Sequence, residues 1–436
     1  MLNTLAPGFS RAALEALSRQ RGEPEWLLEL RLQAWETYES LPAPLGRRGD
    51  LGTLRTVAGF HFQDLNPFTP TEKSVALPAF IEHALQDSLL SERSGQIVQL
   101  NSAVIHTELR DELKEQGVIL TDLDTAVREH PELVREYFMT NCVPVATSKY
   151  TALHAAFWAG GFFLYVPRGV TIEEPILAQV WLDKPHIAGF SHTLIIAEEE
   201  SSVRIVEEYN SNFEGEEPSL LSDVVEVHAK REARVEFSNL QDLGQNVWNI
   251  TDKNALYAKD GSVTFVTADL GGKVNLETVG AGLKGNGSAG ELVGVFFADH
   301  DQRFAIHTLS DHIGLSTNAE TLIKGVLTDS SRVEFDGMIR VRQNAQQTAS
   351  FLSAHGLMLS KQARGEFIPG LEIAANEVSA SHGATSGQID EEQLFYLMVR
   401  GIPRAEAERI VVQGFFEPVL QRIPLETLRI RLRRGI

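Results

Sequence analysis

The sequence of 436 residues contains one cysteine, Cys142, which excludes an intramolecular disulfide framework. Lys and Arg number 39 against 59 Asp and Glu, and the net charge of −20 argues against sequence-independent binding of nucleic acid or anionic membranes. No apolar run approaches the roughly 20 residues that span a bilayer. The N-terminus also lacks the basic and apolar segments of a secretory signal. These absences predict a cytoplasmic protein with neither a nucleic-acid nor a membrane partner.

Nucleotide-binding loops are missing as well. No GxxxxGK[ST] stretch is present, so we expect no ATP hydrolysis by a P-loop mechanism in this chain, and any ATP site would belong to another subunit. The segment Gly285–Gly290 matches GxGxxG, but a dinucleotide fingerprint requires a helix after it. Because β-like sequence follows at Leu292–Phe297, we predict a simple turn there.

Helical patterns dominate the first 140 residues. Helices are predicted at Glu25–Tyr38, Pro78–Leu90 and Thr121–Met139, the last interrupted or restarted near Pro131. From about Phe162 the helical periodicity ends. Short alternating apolar segments separated by Gly, Asn, Asp and Ser take over, which is typical of strands.

One short element recurs in this β region: a turn, then Val or Gly, another residue, and a large apolar side chain. Successive copies lie 32, 28, 70 and 32 residues apart, and the long interval has room for a weaker copy around Gly290–Val293. A repeat of about 30 residues favours a stacked β-solenoid over the alternative, an antiparallel sandwich. The copies are Ser202–Ile205, Arg234–Phe237, Ser262–Phe265, Arg332–Phe335 and Arg364–Phe367.

Helical patterns return after the β region. Asp390 with Gln393 makes a start that resembles a capping box, Gly401 suits a helix end, and Pro403 suits the start of another helix. The whole chain is therefore predicted to be mainly β, with helical regions at both ends. We place a mainly helical domain at residues 1–140, the β-solenoid core at 141–387 and a helical domain at 388–436.

His382 is the first candidate for chemistry. It lies between the β region and the helical tail, and the small neighbours Ser381, Gly383 and Ala384 leave room for a metal ion or a second chain. A neutral imidazole nitrogen binds iron or zinc. The alternative is a hydrogen-bonded histidine that ends the solenoid. Because one imidazole cannot hold a cluster, any metal site here must be shared.

A second candidate is the segment Asp299–His312, which has three histidines and three carboxylates within fourteen residues. In a strand, His300 and His312 share a side and His307 takes the other, so the three cannot converge without a bulge or turn. No HExxH motif is present. We therefore predict structural or interface hydrogen bonding for these side chains.

Other polar candidates are predicted to be structural. Cys142 has no Cys or His beside it in the sequence and is expected to be a buried structural thiol. The acidic runs Glu198–Glu200 and Glu207–Glu208 are expected to be solvated turns and strand ends.

The segment Leu371–Ile402 resembles the SufB/SufD family of subunits of the SUF iron–sulfur cluster assembly scaffold. Further similarity lies at Lys324–Thr348, Gly160–Ile176 and Pro24–Glu36. Ser381–Thr385, which reads SHGAT, is similar to the SufD branch, whereas SufB-like chains tend to read HEAT.

The resemblance implies a right-handed parallel β-helix with flanking helices. It also implies a non-catalytic scaffold subunit that pairs with a SufB-like paralogue and binds a SufC-like ABC ATPase. Iron acceptance or cluster formation would occur at the SufB–SufD interface with His382 as a shared ligand, and no cofactor would be held tightly by this chain alone. Many SufD sequences have Cys where this chain has Ala380, which leaves His382 as the matching candidate. The ATPase-binding region implied by the family comprises Glu391, Gln393, Leu394, Phe395, Tyr396, Arg400 and Gly401.

Two alternatives stay open. One is a SufB-type homodimeric scaffold, and the chain in isolation could form a homodimer. The absence of cysteine beyond Cys142 argues against a cluster carried by this chain alone. The other is a β-helix polysaccharide lyase or hydrolase, for which Asp299–His312 is the candidate region.

Overall fold

The computed structural model describes residues 7–42, 62–71, 76–87, 92–213 and 215–435. The fold is mainly β, with 44% of residues in strands and 25% in helices, and a parallel solenoid of about 8 turns forms its centre. The predicted solenoid is confirmed, and the antiparallel sandwich is wrong.

Nineteen strands lie within the described residues. They are β1 (Gly95–Leu100), β2 (Ala103–Leu109), β3 (Ile119–Asp122), β4 (Phe162–Val166), β5 (Ile176–Leu182), β6 (Ala188–Ala197), β7 (Ser202–Ser211), β8 (Ser219–Ala229), β9 (Arg234–Asp242), β10 (Val247–Tyr257), β11 (Ser262–Asp269), β12 (Val274–Leu283), β13 (Ala289–Ala298), β14 (Arg303–His312), β15 (Asn318–Leu327), β16 (Arg332–Val341), β17 (Thr348–Met358), β18 (Arg364–Ile373) and β19 (Val378–Gln388).

The strands form two sheets, because each solenoid turn contributes one strand to each sheet. One sheet has the order β19-β17-β15-β13-β11-β9-β7-β5-β1-β2, and the other has the order β18-β16-β14-β12-β10-β8-β6-β4-β3. From β4 and β5 onward all pairs are parallel. At the N-terminal end β2 and β3 pair antiparallel to their neighbours and end the two sheets. At the C-terminal end β18 and β19 are the last strands.

The recurring element has a fixed place in these sheets. The copies that begin at Ser202, Arg234 and Ser262 are Cα partners on β7, β9 and β11. The copies that begin at Arg332 and Arg364 are partners on β16 and β18 of the other sheet. The 70-residue interval therefore contains a change of sheet as well as further turns, which the sequence spacing did not reveal.

Helices lie on both sides of the solenoid in the sequence. The predicted helix pair within Thr121–Met139 is present and restarts at Pro131, and residues 88–90 of the predicted helix Pro78–Leu90 lie outside the described residues. Strands β1 to β3 were not predicted, and β1 pairs with β5 of the solenoid. The helices are Arg11–Arg21, Glu25–Ser40, Ala79–Asp87, Asp111–Glu115, Leu123–Glu129, Pro131–Tyr137, Lys149–Phe157, Glu391–Met398, Arg404–Leu420 and Glu426–Gly435, with short 3₁₀ turns at Phe62–Asp64 and Val145–Thr147.

The main core fills the space between the two sheets. Aromatic side chains stack from turn to turn, as in Phe237 and Phe265, whose ring centroids are 5.8 Å apart. Each buried large apolar side chain contributes about 1.5–3 kcal/mol. The N-terminal helices pack on the outer face of the even-numbered strands through residues such as Phe190. The helix Arg404–Leu420 packs on the outer face of the odd-numbered strands through Phe416.

The prediction that Glu207–Glu208 is solvated is wrong. Glu207 faces the solenoid interior and accepts hydrogen bonds from Thr193 Oγ1 and Tyr209 Oη, each at 2.8 Å. Glu208 accepts a 2.8 Å hydrogen bond from Gln179 Nε2. Thr193 lies 14 residues away on the facing sheet, and Gln179 lies 29 residues away on the preceding turn, so the local sequence does not reveal them.

Candidate site at the open end of the solenoid

The solenoid ends without a cap at β18 and β19. These strands are 10 and 11 residues long, and among the described residues no strand pairs with their outer edges. Such edges present a row of unpaired N–H and C=O groups that can pair with another chain. The C-terminal end of the solenoid is therefore a ready surface for β pairing.

Core side chains are exposed at this end because no further turn covers them. Leu371 and Ile373 on β18 are 39% and 42% exposed. Their register partners on β16, Ile339 and Val341, are buried. Side chains that would be core in any earlier turn thus form an apolar surface at the open end.

His382 lies in the middle of β19 and on its interior-facing side. Its register partner on β17, Leu352, is buried in the solenoid core, and paired residues of parallel strands point to the same face. His382 is nevertheless exposed, again because no turn follows. Within the described part of the chain, the structure shows no hydrogen bond or ion pair for its imidazole, which leaves both ring nitrogens available.

The imidazole of His382 is exposed, but ligand atoms near it are few. Ala380, two residues earlier on the same face of β19, offers no ligand atom. Among the described residues, the group of three metal-ligating side chains that the structure brings together does not include His382. A metal ion at His382 would need ligands from a second chain.

The segment Asp299–His312 does not form one site. His300 lies in a turn with φ +46°, and its Nδ1 is 3.0 Å from Gln245 Nε2. His312 is buried, with its ring nitrogens 2.8 Å from Thr317 Oγ1 and 3.0 Å from Ser350 Oγ. The predicted lack of convergence is borne out among the described residues, as is the hydrogen-bonding role of His300 and His312.

The GxGxxG segment is a turn between β12 and β13, as predicted. Gly287 has φ +72°, which favours glycine, and a Cβ at Gly285 would overlap the backbone of Ala258 in the previous turn. The strand β13 follows directly, so no helix N-terminus is available to bind a phosphate.

The tail helix Glu391–Met398 begins directly after β19. Asp390 caps it by accepting a hydrogen bond from the Glu392 N–H at 2.8 Å. Gly401 ends it in the left-handed conformation with φ +89°, and its N–H donates to the Met398 carbonyl at 2.9 Å. The tail is thus connected to the strand that carries His382 without a linker.

Most of the predicted partner-binding residues lie on the exposed side of this helix. Phe395 is 66% exposed, and Tyr396 and Gln393 are also exposed. Val399, which was not among the predicted residues, lies beside them and is 62% exposed. Large apolar side chains at this exposure form a patch that is unusual on a free surface.

The other predicted residues have structural partners. Leu394 is fully buried against Ile389 and Ala407, so its side chain holds the helix in place and is not available to a partner. Glu391 is exposed and pairs with Arg404 at 2.8 Å. The Arg400 guanidinium lies 4.5 Å from the ring centroid of Tyr396.

Known protein families match this chain over two consecutive segments, the N-terminal region and the solenoid with part of the tail. The SufBD core domain of the SUF iron–sulfur cluster assembly system matches residues 180–415. The SufBD N-terminal region matches residues 89–179. The chain belongs to the SufBD family.

SufBD relatives are similar over nearly the full length. The iron–sulfur cluster assembly protein SufD of Bacillus subtilis is 34% identical over 422 residues, covering 96% of this chain and 95% of that protein. SufB of the same organism is 28% identical over 434 residues, covering 96% and 90%. A SufBD family protein of Staphylococcus epidermidis is 31% identical over 429 residues, with the same coverage as SufB.

The sequence singled out His382 as a candidate but did not reveal the exposed surface around it. A signal was present, since the alternating pattern ends at Gln388 and the segments that follow it, up to Gly435, form helices. None of the helices in the described ranges combines the length and apolarity needed to cross a bilayer.

Proposed function

We propose that this SufBD-family chain is a non-catalytic, SufD-type scaffold subunit that pairs with a SufB-like paralogue through its open solenoid end. The proposal rests on the two long edge strands, β18 and β19, which pair with no further strand among the described residues. Leu371 and Ile373 on β18 are exposed, although their counterparts in the preceding turn are buried in the core. A second solenoid with a matching end would continue both sheets and bury this surface.

Iron or a nascent cluster is cargo at this interface, with His382 as one ligand. The imidazole is exposed, and among the described residues it has neither a hydrogen-bond partner nor a second ligand beside it. Ala380 supplies none, so the partner subunit must contribute thiolates. This shared arrangement agrees with a chain that holds no cofactor tightly by itself and works in the reducing cytoplasm.

The tail is the proposed docking surface for a SufC-like ABC ATPase. Phe395, Tyr396 and Val399 offer apolar and aromatic area of the kind that dominates binding energy at protein interfaces. Because Asp390 joins the tail directly to β19, a movement of the ATPase would reach the strand that carries His382. ATP hydrolysis then belongs to the partner, consistent with the missing P-loop.

The alternatives are less well supported. A homodimer through the same ends would bring two copies of His382 together without a thiolate, because Cys142 is buried elsewhere. A polysaccharide lyase or hydrolase needs convergent acidic or basic groups, and the side chains of Asp299–His312 do not converge.

Anaerobic affinity purification of the tagged chain from its own cells tests the pairing. We expect a cysteine-bearing β-helix paralogue and an ABC-type ATPase to co-purify. The double variant Leu371→Lys/Ile373→Lys should lose the paralogue and keep the ATPase. Leu315→Lys, a matched change at a residue that is 46% exposed on another turn, should keep both. Recovery of the chain alone, with both partners expressed, would contradict the proposal.

The role of His382 needs its own test. His382→Ala should keep folding and complex formation, because the side chain is exposed and unpaired, but should impair cluster assembly on the purified complex. His300→Asn, a change at an exposed histidine on the turn between β13 and β14, is the control. Normal assembly by the His382 variant would remove the metal role.

A further inference from the structure

A buried group of three ligand-type side chains lies away from the open end, where the N-terminal region meets the solenoid. Cys142 comes from the loop after the helix Pro131–Tyr137, and Glu226 and His228 lie two residues apart on the outer face of β8. Their ligand atoms lie within 4.8 Å of one another, and all three residues are buried. We call this group the seam cluster.

The Glu226 carboxylate is held in place from two sides. It accepts hydrogen bonds from the backbone N–H groups of Met139 at 2.6 Å and Val143 at 2.9 Å, on either side of Cys142 in the chain. His192 Nε2 lies 3.2 Å from the same carboxylate. The loop that carries Cys142 is therefore positioned by Glu226.

A row of buried, hydrogen-bonded side chains extends from this carboxylate. The other ring nitrogen of His192 is 3.2 Å from His154 Nε2, and His154 Nδ1 is 3.0 Å from Ser222 Oγ. Outer partners of this kind orient the ligands of metal sites and fix the tautomers of their histidines. His192, His154 and Ser222 therefore form a buried hydrogen-bonded row that fixes the position of the Glu226 carboxylate.

One ring nitrogen of His228 is buried without a partner. His228 is only 6% exposed, and within the part of the chain that the structure describes its Nε2 has no hydrogen-bond partner. Its ring packs edge-on against Tyr137, with the centroids 4.7 Å apart. A buried polar atom without a partner is rare and requires an explanation, such as a bound ion.

The Cys142 thiol, which belongs to the same cluster, lies beside backbone carbonyl groups and makes weak hydrogen bonds with them. Cys142 Sγ lies 3.1 Å from the carbonyl oxygen of Asn254 and 3.8 Å from that of Val227, and a thiol is a weak donor. A bound divalent ion would replace the thiol proton, which would leave to solvent. Thiolate and carboxylate would then balance the charge of the ion, so that no net charge is buried.

We propose that Cys142, Glu226 and His228 bind a divalent transition-metal ion of the zinc class, which fastens the N-terminal region to the solenoid. One sulfur, one imidazole nitrogen and one carboxylate oxygen form a donor set that suits Zn²⁺, with the fourth position open to water. The site is independent of His382 and of the proposed partner interface.

Cobalt tests the site directly, because the sequence has no other cysteine. The full chain is produced in cells supplied with Co²⁺ and purified without chelators. We expect about one Co²⁺ per chain and a thiolate-to-Co²⁺ charge-transfer band, which only Cys142 can produce. Production with Zn²⁺ instead should give about one Zn²⁺ per chain and a higher melting temperature than the chelator-treated protein.

Three variants complete the experiment. Cys142→Ser and His228→Gln should lose the band and the bound metal while retaining the circular dichroism of the folded chain. His382→Ala should keep both, since it lies outside the seam cluster. A folded wild-type chain without bound metal, or equal metal content in the wild type and the two ligand variants, would overturn the proposal.

Discussion

Lys253 Nζ lies 2.5 Å from Glu277 Oε1 inside the solenoid, and both side chains are fully buried. Burial alone would lower the pKa of Lys253, but Glu277 and then Asp269 outweigh it and raise that pKa above its usual value. The two residues lie on neighbouring strands, β10 and β12. The ion pair therefore links successive turns in a region where the core is polar.

Replacing one member of this pair should be strongly destabilising. Lys253→Met leaves the Glu277 carboxylate buried without its counter-charge, and we expect the free energy of unfolding to fall by about 3–5 kcal/mol. Chemical denaturation measures the change. Arg204→Met, which breaks an exposed ion pair with Glu236, is the control and should cost less than about 1 kcal/mol.

The double variant Lys253→Met/Glu277→Leu separates the two causes of that loss. With both charges removed, most of the stability should return, because an apolar pair of similar volume needs no desolvation of ions. A double variant as unstable as Lys253→Met would show that packing and not charge decides the result.

A shared proton joins two other interior carboxyl groups. Tyr209 Oη lies 2.8 Å from Glu207 and 2.7 Å from Asp223, but a hydroxyl has only one hydrogen to donate. One of the two carboxyl groups must therefore be protonated and donate to the tyrosine oxygen. Burial, and then the charge of Asp223, raise the pKa of Glu207 to about 8, and we therefore assign the shared proton to Glu207.

This raised pKa predicts how stability depends on pH. Between the ordinary glutamate pKa and about 8 the folded chain holds a proton that the unfolded chain has lost, so this group makes stability fall as pH rises through that window. Glu207→Gln, a neutral isostere that can donate to Tyr209, should remove this part of the dependence. Denaturation at several pH values should show the variant gaining stability relative to the wild type between about pH 5 and pH 8.

A constant difference between Glu207→Gln and the wild type across that range would contradict the shared proton. Burial also raises the pKa of Asp223. Because the charge of Asp223 acts on Glu207, the comparison reports the titration of the two carboxyl groups together. Lys253, the nearby cation, is unchanged in both proteins.

Close packing between turns gives a third prediction, at Gly325. A Cβ at this position would overlap the ring of Phe296 on the adjacent turn, and that ring is held by Phe304 and Phe367 at centroid distances of 6.5 and 6.4 Å. Gly325→Ala should therefore destabilise the fold by about 1–3 kcal/mol. Thermal or chemical unfolding measures the loss.

Two further variants define the cause of that loss. Adding Phe296→Leu to Gly325→Ala should restore part of the stability by making room for the methyl group. Gly387→Ala on β19, where an added Cβ meets no atom within 4 Å, should change stability by less than about 0.5 kcal/mol. Equal losses at both glycines would point to backbone entropy or strand pairing instead of ring overlap.

The repeat and the tail could be predicted because they leave local signals. The period of about 30 residues follows from the length of one turn, and the cap at Asp390 and the helix end at Gly401 follow from backbone chemistry. Interior polar groups could not be predicted, since Glu207 meets Thr193 only when the two sheets face each other. Cys142 is buried, as predicted, whereas its spatial neighbours Glu226 and His228 lie far from it in the sequence and could not be predicted.

The exposed tail residues give the last prediction, which concerns the proposed ATPase. Phe395→Ser/Val399→Ser removes most of the apolar surface without touching buried Leu394, so folding should be retained. Loss of two anchors should weaken binding of a purified SufC-like ATPase by more than about tenfold in Kd, as measured by titration calorimetry. Leu315→Ser, far from the tail in sequence and similarly exposed, should bind like the wild type. Unchanged affinity in the double variant would place the ATPase on another surface of the chain.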